Sequence, residues 1–399
     1  MKLSKFTLMD RYEDTIVFYN TLSNAVVEVS IEIGELIINQ NFNKIDKFVL
    51  YHLFRRGIIV RKNRDEIANL LNLHKRFFDS DKYLNVTLVP TFMCNFNCQY
   101  CFEHKYKMQR KVIDFDILNK YANVNFKGIN RLDLTLFGGE PLIVSTKLLS
   151  WAQYVKRLCI DRQIQLNIKM ATNGYLLSQK IANQLLDLEL RSVQITVEQS
   201  VEDYETLKQN KDIKAFDRVM YNIAQFVRLI EAQSASTRII LRINLLNSST
   251  DGPKKVLSYI DRNFRKYIYV YFTPVYSTEK FFSCINFDLS PFYELASNLG
   301  FKIVDSKKNL LSHCNYDMGK CSYHILPDLS LKRCVGENNS DVVGHIEENG
   351  MVIFDNTDWG DDCSWKNDKK CLQCPLLPKC WGGCPLSFKL TGIRKCIEL

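Results

Sequence analysis

Three cysteines with C-x3-C-x2-C spacing, Cys94, Cys98 and Cys101, are the residues that point most directly to chemistry. They follow the strand-like segment 84–90, so they fall on one short loop at the end of a predicted strand. Thiolates suit iron–sulfur clusters, and three of them can hold three corners of a 4Fe–4S cube. The fourth iron is then open to bind and reduce a small molecule. The alternatives are three unrelated thiols or a structural zinc site, which usually has a fourth ligand nearby that this loop lacks.

The loop resembles the cluster loop of the radical S-adenosylmethionine (radical SAM) superfamily, with the aromatic Tyr100 before the third cysteine. Further on, segment 136–142 with Gly138, Gly139 and Glu140 resembles that superfamily's second signature. Glycines let a backbone approach a ligand closely, and a carboxylate accepts charge-assisted bonds from an ammonium group. The resemblance implies that Glu140 receives the methionine amino group of S-adenosylmethionine, while the open iron binds the amino and carboxylate groups.

The ends of later predicted strands offer weaker candidates. Asn173 lies in a segment similar to the superfamily's Thr-Asn-Gly turn, and a plain Asn-Gly turn is the alternative. Thr196 aligns with the family's Ser/Thr-x-Asp-Gly and is implied to reach the carboxylate, although Glu198-Gln199 replaces Asp-Gly. Arg242 offers a cation for the same carboxylate, unless it forms a surface ion pair. The implied cofactor contacts are Tyr100, Phe102, Gly138, Gly139, Glu140, Asn173, Thr196, Glu198 and Arg242.

Most of the fourteen cysteines lie between Cys314 and Cys396, and segment 371–384 spaces four of them as C-x2-C-x5-C-x3-C. The run resembles the SPASM domain of radical SAM peptide and protein maturases, which carries two further 4Fe–4S clusters. Zinc knuckles are the alternative, because C-x2-C is equally a zinc spacing. The resemblance implies Cys321, Cys334 and Cys384, with Cys314 as a candidate fourth ligand, for the first auxiliary cluster, and Cys371, Cys374, Cys380 and Cys396 for the second.

Some residues fall outside these patterns. Leu329 stands where the family has a glycine, so the turn there is expected to be made in another way. Cys159, Cys284 and Cys363 match no motif, and we interpret them as free buried cysteines. The six histidines form no pair at ligand spacing and receive no role.

The composition is globular: the chain has 399 residues, of which 46% are hydrophobic and 24% charged, and this length favours two or three domains. No apolar run has the length of a membrane helix, and residues 1–6 lack the apolar core of a signal peptide. We therefore expect a cytoplasmic protein whose cysteines bind metal instead of forming disulfides. The net charge of +9 permits a nucleic-acid or acidic-peptide partner without requiring one.

Residues 81–283 are predicted to form an α/β core. Strands that alternate with helices of this length indicate a parallel sheet with right-handed crossovers. The resemblance implies a partial (β/α)6 barrel, with the site at the carboxyl ends of its strands. The predicted strands are 84–90, 132–137, 165–171, 191–198, 237–245 and 266–275, and the predicted helices are 113–124, 145–158, 178–189, 215–232 and 252–263.

Residues 1–80 are predicted to form a separate domain, and residues 284–399 the SPASM domain. The first domain resembles the winged-helix-like element that binds a leader peptide by adding it as a strand to a sheet edge. A cap over the barrel and a DNA-binding winged helix are the alternatives. The predicted elements are a hairpin of 14–20 and 25–30, helices at 31–38 and 43–54, a strand at 58–60 and a linker helix at 66–81.

The resemblance as a whole implies a radical SAM peptide maturase, most similar to the thioether-forming sactipeptide and ranthipeptide enzymes. In that reaction a 5′-deoxyadenosyl radical removes hydrogen from a precursor peptide, a peptide cysteine bonds to the resulting carbon radical, and the auxiliary clusters remove the extra electron. The implied cofactors are three 4Fe–4S clusters and S-adenosylmethionine. The implied partners are a ribosomal precursor peptide bound through its leader and an external one-electron reductant of flavodoxin or ferredoxin type, with no nucleic acid and no membrane.

Other functions stay open. Carbon–carbon cross-linking of a peptide and formylglycine formation in a sulfatase use the same domains, and the N-terminal domain favours a leader-bearing peptide over a sulfatase. A non-catalytic iron–sulfur escort and a DNA-binding regulator are rivals of other classes, and steep salt dependence would mark the regulator. No side chain is assigned as a nucleophile or general base. If Cys314 is not a ligand, we hypothesise that the first auxiliary cluster binds the substrate thiolate.

Overall fold

The computed structural model describes residues 1–78, 82–101, 103, 110–209, 212–275, 288–304, 319–334, 342–355, 365–385, 388, 392–394 and 396. The chain divides into two compact units. The first comprises Met1–Ser80, Asp305–Lys320 and Asp358–Leu399, and the second Asp81–Val304 and Cys321–Thr357. Residues 284–399, predicted as one domain, are divided between the two units, and the predicted domain limits stay predictions.

The first unit contains a three-stranded antiparallel sheet in the order β2-β3-β4 and a separate β1-β5 pair. Its N-terminal elements are β1 (Lys2–Leu3), β2 (Thr7–Arg11), β3 (Thr15–Asn20), β4 (Ala25–Ser30), α1 (Ile31–Ile38), α2 (Lys47–Arg55), β5 (Ile59–Val60) and α3 (Glu66–Phe78). The predicted hairpin, helices and short strand are confirmed. Strand β2 was not predicted, because most of this edge strand is exposed and shows no alternation of apolar residues.

The core of this part follows the alternation of β3. Ile16 and Phe18 point to one face and are buried with Ile37 of α1 and Leu53 of α2. Burial of each such side chain contributes roughly 1.5–3 kcal/mol. Asp46 fixes the start of α2, because its carboxylate accepts hydrogen bonds from the first free backbone N–H groups of the helix.

The second unit is built on an eleven-stranded sheet in the order β12-β11-β10-β9-β8-β7-β6-β13-β14-β15-β16. Its elements are β6 (Tyr83–Leu88), α4 (Phe115–Asn125), β7 (Arg131–Leu136), α5 (Ser145–Asp161), β8 (Gln165–Thr172), α6 (Gln179–Asp187), β9 (Ser192–Glu198), α7 (Val201–Lys208), α8 (Ala215–Ala232), β10 (Arg238–Leu245), α9 (Asp251–Ser258), β11 (Ile268–Pro274), α10 (Ser290–Asn298), β12 (Lys302–Ile303), β13 (Ser322–Ile325), β14 (Ser330–Lys332), β15 (Val342–Ile346) and β16 (Val352–Phe354). Strands β6 to β11 are parallel and adjacent in chain order, and each overlaps a predicted strand. The predicted α/β fold is confirmed.

Each parallel strand has an apolar face and a polar face. In β7, for example, the leucines are buried and the polar residues between them are half-buried. A parallel sheet covered on both faces would instead be apolar throughout. The register sets Thr196 beside Arg242 and Glu198 beside Asn244 on the polar face. This face therefore carries the polar side chains nearest the carboxyl ends of the strands.

Strands β13 to β16 extend the parallel sheet beyond β6. β13 pairs with β6 in parallel, and β14, β15 and β16 follow as an antiparallel meander. This pairing explains why residues 321–357 pack with the second unit.

The turn between β13 and β14 is made without a glycine. Leu329 itself adopts the left-handed conformation, with φ of +69°. Its N–H donates to the carbonyl of Leu326 at 2.9 Å, and the N–H of Leu326 donates to Ser330 at 3.0 Å. Leucine takes the backbone conformation that favours glycine here, at a cost of roughly 1–2 kcal/mol.

The C-terminal segment of the first unit contains α11 (Lys369–Gln373) and α12 (Leu377–Cys380). Trp365, Leu377 and Trp381 are buried there and pack with Phe6 and Leu70. This cluster joins the two ends of the chain within one unit.

Cys159 is buried in α5, as predicted. Cys284 and Cys363 lie outside the described residues. Across the described ranges, no helix has both the length and the apolar character needed to span a membrane.

Candidate functional site

The cysteine loop lies between β6 and α4, at the carboxyl end of β6. Phe96, in the middle of the loop, is 3% exposed. Its ring lies edge-on to Tyr175 at 5.7 Å and to Tyr204 at 6.0 Å between centroids. This aromatic contact anchors the loop on the turn after β8 and on α7. The loop carries three half-buried thiols, those of Cys94, Cys98 and Cys101.

Helix α7, which the sequence analysis missed, holds the same loop. The N–H of Asn97 donates to the carbonyl of Lys208 at 3.0 Å, and that of Gln99 to Leu207 at 3.1 Å. The last carbonyls of a helix have no partner within it, so the loop satisfies two of them. The signal for this helix was Ser200, whose hydroxyl caps it by accepting from the third N–H of the segment.

The Gly-Gly-Glu segment packs directly on the cysteine loop. The N–H of Gly139 donates to Thr91 at 3.2 Å, and that of Glu140 to Met93 at 2.9 Å. A Cβ on Gly138 would lie 2.6 Å from the Thr91 oxygen, and one on Gly139 2.5 Å from the Met93 oxygen. No side chain fits at these two positions, so both motifs depend on glycine to meet.

Glu140 is fully buried and accepts three hydrogen bonds from the protein. One carboxylate oxygen accepts from the N–H of Leu142 at 3.0 Å and the hydroxyl of Thr172 at 2.8 Å, and the other from the N–H of Asn173 at 2.7 Å. Burial raises the pKa of Glu140 to about 7, although these donors favour its charged form. In this geometry the side chain ties β7 to β8, and its contact with a methionine amino group stays a prediction.

Asn173 reaches the cysteine loop from the end of β8. Its Nδ2 donates to Asn95 Oδ1 at 2.8 Å and lies 3.8 Å from Cys94 Sγ. Its Oδ1 accepts from the N–H of Tyr175 at 3.0 Å, which forms the predicted turn. The position is adjacent to the cysteines, and the predicted contact with S-adenosylmethionine stays a prediction.

A charged network links the cysteine loop to β9, β10 and α7. Glu198 Oε1 accepts from the hydroxyl of Tyr100, from Lys208 Nζ at 3.0 Å and from Asn244 Nδ2 at 3.3 Å. Asn244 Nδ2 also lies 3.0 Å from the Tyr100 hydroxyl. Tyr100 and Glu198 were predicted site residues, but Lys208 and Asn244 were not, because only the folded chain brings these four residues together.

Gln199, the second residue of the Glu198-Gln199 pair that replaces the family's Asp-Gly, bonds to the loop after β10. Its Oε1 accepts from the N–H groups of Leu246 at 2.7 Å and Asn247 at 3.1 Å. Its Nε2 donates to Asn247 Oδ1 at 2.6 Å and to the Ser249 carbonyl at 3.2 Å. The side chain therefore ties the end of β9 to the loop that follows β10.

Thr196 of β9 and Arg242 of β10 lie side by side, two residues before Glu198 and Asn244 on the same strands. Arg242 Nε donates to Asn244 Oδ1 at 3.2 Å. None of the carboxylates in the described ranges pairs with Arg242, so the surface ion pair weighed from the sequence is not seen. The predicted contacts with the S-adenosylmethionine carboxylate stay predictions. Phe102 lies outside the described residues.

The four cysteines predicted for the second auxiliary cluster interact within the first unit. Burial raises the pKa of Cys371 to about 11, and the charges of nearby Asp368, Cys380 and Cys396 raise it as well. Burial also raises the pKa of Cys380, with contributions from Cys374 and Cys396. The raised pKa values favour the neutral thiols in the absence of metal, and a bound metal would stabilise the thiolate forms.

The cysteines predicted for the first auxiliary cluster are divided between the units. Cys321 and Cys334 are in the second unit, and Cys384 is exposed in the first. Cys314 lies outside the described residues. Within the parts of the chain that are described, no three side chains of the ligating types converge as a ready-made metal centre. The ligand sets therefore stay predictions.

The donor groups on the loop from Cys94 to Cys101, at the carboxyl edge (the rim) of the parallel sheet, nevertheless fit a 4Fe–4S cluster. The only ligating side chains on the described part of the short loop between Cys94 and Cys101 are its three cysteines. Thiolates are the ligands that such clusters take. The glycines at 138 and 139 keep the backbone beside the loop free of side chains.

Residues 88–250 match the family model of the Radical SAM superfamily. This segment is a radical SAM domain. It contains the cysteine loop, the Gly-Gly-Glu segment, Asn173 and the network around Glu198. The predicted resemblance to the radical SAM superfamily is confirmed for this segment.

Two curated relatives share sequence with this domain. A GTP 3',8-cyclase of Aliarcobacter butzleri is 31% identical over 120 residues, which are 29% of this chain and 34% of the cyclase. The radical SAM cyclopropyl synthase TigE of Paramaledivibacter caminithermalis is 22% identical over 275 residues, 54% of this chain and 58% of TigE. The chain thus spans about a third of the cyclase and less than two thirds of TigE.

One solved structure shares the fold over more of the chain. It is native anSMEcpe with bound AdoMet and Cp18Cys peptide, which has a TM-score of 0.54 and 18% sequence identity. The match covers 75% of this chain and 88% of anSMEcpe. It supports the radical SAM α/β fold.

Proposed function

We propose that this protein is a radical SAM peptide maturase that installs thioether cross-links in a ribosomally made precursor peptide. One observation carries the proposal: a loop with three cysteines packs, backbone on backbone, against Gly138 and Gly139 at the carboxyl edge of a parallel sheet. The matching family model supports it, and so does the peptide bound to the structural neighbour anSMEcpe.

The residues of this chain would hold and orient the reactants. A cluster bound by Cys94, Cys98 and Cys101 would supply the electron that cleaves S-adenosylmethionine. The chain fixes the cysteine loop through Phe96 and α7, and it offers a polar sheet face for the cofactor and substrate. Glu140 and Glu198 are fully buried at the strand ends, and exclusion of water from the site would protect a radical from side reactions.

The N-terminal part of the chain would bind the leader of the peptide. β4 lies at the edge of its three-stranded sheet in the described chain. Val26 on this strand, and Phe48 and Tyr51 on α2, are 55%, 70% and 58% exposed. An open edge supplies main-chain hydrogen bonds and exposed apolar side chains supply specificity. Arg56 donates to the Val26 carbonyl at 3.3 Å, so an acidic leader would find a cation there.

The cysteine-rich segment would hold the two auxiliary clusters, which remove the extra electron. The mutual charge effects among Cys371, Cys374, Cys380 and Cys396 support the second of them. A flavodoxin- or ferredoxin-like protein would supply electrons to the first site. Cysteines that bind clusters suit a reducing compartment, so we place the protein in the cytoplasm.

A second candidate is carbon–carbon bond formation in a peptide. The similarity to TigE, a cyclopropyl synthase, favours it. Both reactions begin with the same removal of hydrogen, and they differ in the atom that bonds to the carbon radical. The residues of the radical SAM domain would support the hydrogen removal in both thioether formation and carbon–carbon bond formation.

The decisive experiment is the mass of a peptide encoded beside this gene, after anaerobic co-expression with the protein. A Cys98→Ser variant is the matched control. We expect loss of two hydrogens per link, and a peptide cysteine that no longer alkylates after reduction. Loss of the same mass with every thiol reactive would favour carbon–carbon bonding. A peptide unchanged by the wild type, although 5′-deoxyadenosine is released, would reject this peptide as the substrate.

A further inference from the structure

We propose that Lys208 is a positioning residue for the radical SAM cluster: its buried ammonium group holds the cysteine loop in place and offsets the negative charge of the bound cluster, which makes reduction easier. The inference rests on the proposed function, because it concerns the cluster held by Cys94, Cys98 and Cys101.

The side chain of Lys208 is 4% exposed and that of Glu198 is fully buried, and Nζ lies 3.0 Å from Glu198 Oε1. The same ammonium group lies 5.8 Å from the ring centroid of Tyr100 and 5.7 Å from that of Tyr204. A buried cation is unfavourable unless such groups surround it. Tyr100 is part of the cysteine loop, so the ammonium group acts directly on that loop.

The backbone of α7 favours a cation at this place. The carbonyls of Leu207 and Lys208, at the C-terminal end of the helix, accept from N–H groups of the cysteine loop. A helix C-terminus carries a partial negative charge, which disfavours nearby anions. Three thiolates on that loop would be repelled by the helix end, and a cation in the last turn reverses this effect.

The negative charge of Glu198 keeps Lys208 in its ammonium form. Burial alone would lower the pKa of Lys208, but its negative surroundings, above all the Glu198 carboxylate at 3.0 Å, raise it well above its ordinary value. The ammonium form therefore persists at neutral pH. Its closest opposite charge is Glu198, whose second oxygen has no hydrogen-bond partner within the described chain.

The two charges of this pair should act on the cluster in opposite directions. Reduction adds one electron from an external one-electron reductant to the cluster, and no bond forms or breaks at Lys208. A nearby positive charge stabilises the reduced, more negative form, and a nearby carboxylate destabilises it. Changing Lys208 should therefore hinder reduction, and changing Glu198 should assist it.

The test uses the full-length protein with its clusters reconstituted without oxygen, titrated with a low-potential reductant and followed by electron paramagnetic resonance. The relevant cluster is the one whose spectrum changes when S-adenosylmethionine is added. We expect Lys208→Met to make reduction of that cluster about tenfold less favourable, a shift of ~59 mV to more negative potential. Lys208→Arg should shift it much less, and the exposed control Lys214→Met should leave it unchanged.

Glu198→Gln should shift the same potential to less negative values. If Lys208→Met fails to assemble this cluster while Lys208→Arg assembles it, the positioning role is supported. Unchanged reduction potentials of this cluster in both Lys208→Met and Glu198→Gln would overturn the role of Lys208 and leave the proposed function standing. A wild-type protein with no cluster that responds to S-adenosylmethionine would overturn the proposed function together with it.

Discussion

The rim of the parallel sheet and the segment of residues 365–396 both carry predicted cluster ligands, but the protein organises them differently. At the rim, Phe96, Glu140 and Glu198 are buried and bonded to several elements around the thiols. In segment 365–396, Cys384 and Cys396 are exposed and the helices are short. Buried contacts surround the thiols of the first site, and if the second site binds a cluster as proposed, bound metal would supply part of its local stability.

The largest expected effect comes from removing metal. Apoprotein should be cut by a protease first within segment 365–396, roughly tenfold faster than holoprotein, because local stability there depends on metal binding. Cleavage within 82–209 should change little. Mass spectrometry of the fragments at early times identifies the sites. First cuts in the cysteine loop would show that the rim is no better organised than the C-terminal segment.

Gly139→Ala should lower the free energy of unfolding by about 3 kcal/mol, because the added Cβ meets backbone oxygens at the rim that cannot move freely. Gly128→Ala is a matched control: this glycine has φ of +80° and no atom within 4 Å of an added Cβ. The free energy of unfolding of this control should fall by only about 1 kcal/mol, because of backbone strain. Urea unfolding of the apoproteins measures both, and equal losses would mean that the two loops are not tightly packed.

His324 should make the sheet extension sensitive to acid. Burial lowers the pKa of His324 to about 4, below its ordinary 6.5. The unfolded chain therefore binds a proton first, and stability present above pH 6.5 is lost as pH falls towards 4. A pKa that is lower by one in the folded chain than in the unfolded chain corresponds to about 1.4 kcal/mol. His324→Gln should lose less stability between pH 7 and pH 4.5 in thermal unfolding, and identical losses would contradict this origin.

Leu329→Gly should give the smallest change, a gain of about 0.5–1 kcal/mol, because glycine adopts positive φ without strain. Ser330→Gly at the neighbouring position, which lacks positive φ, should destabilise the protein. Thermal unfolding of the two variants side by side provides the measurement. A destabilised Leu329→Gly would mean that the packing of the leucine outweighs its backbone strain.

Much of the fold follows from the sequence, because alternation of residues such as Val193 and Thr196 marks strands that bury one face. The edge strand β2 gave no such signal, and α7 was hidden between two predicted elements. The cysteine loop and Gly138 to Glu140 were found because they are contiguous. Lys208 and Asn244, the partners of Glu198, were not found from the sequence, because they meet Glu198 only through tertiary contacts.

The most direct test of the central claim is the release of 5′-deoxyadenosine from S-adenosylmethionine by the reduced, reconstituted protein. The claim is that Cys94, Cys98 and Cys101 hold the cluster that cleaves the cofactor. We predict release by the wild type and by Cys374→Ala, and only background release by Cys98→Ala. Equal release by wild type and Cys98→Ala, or none from a wild type with full iron content, would contradict the account.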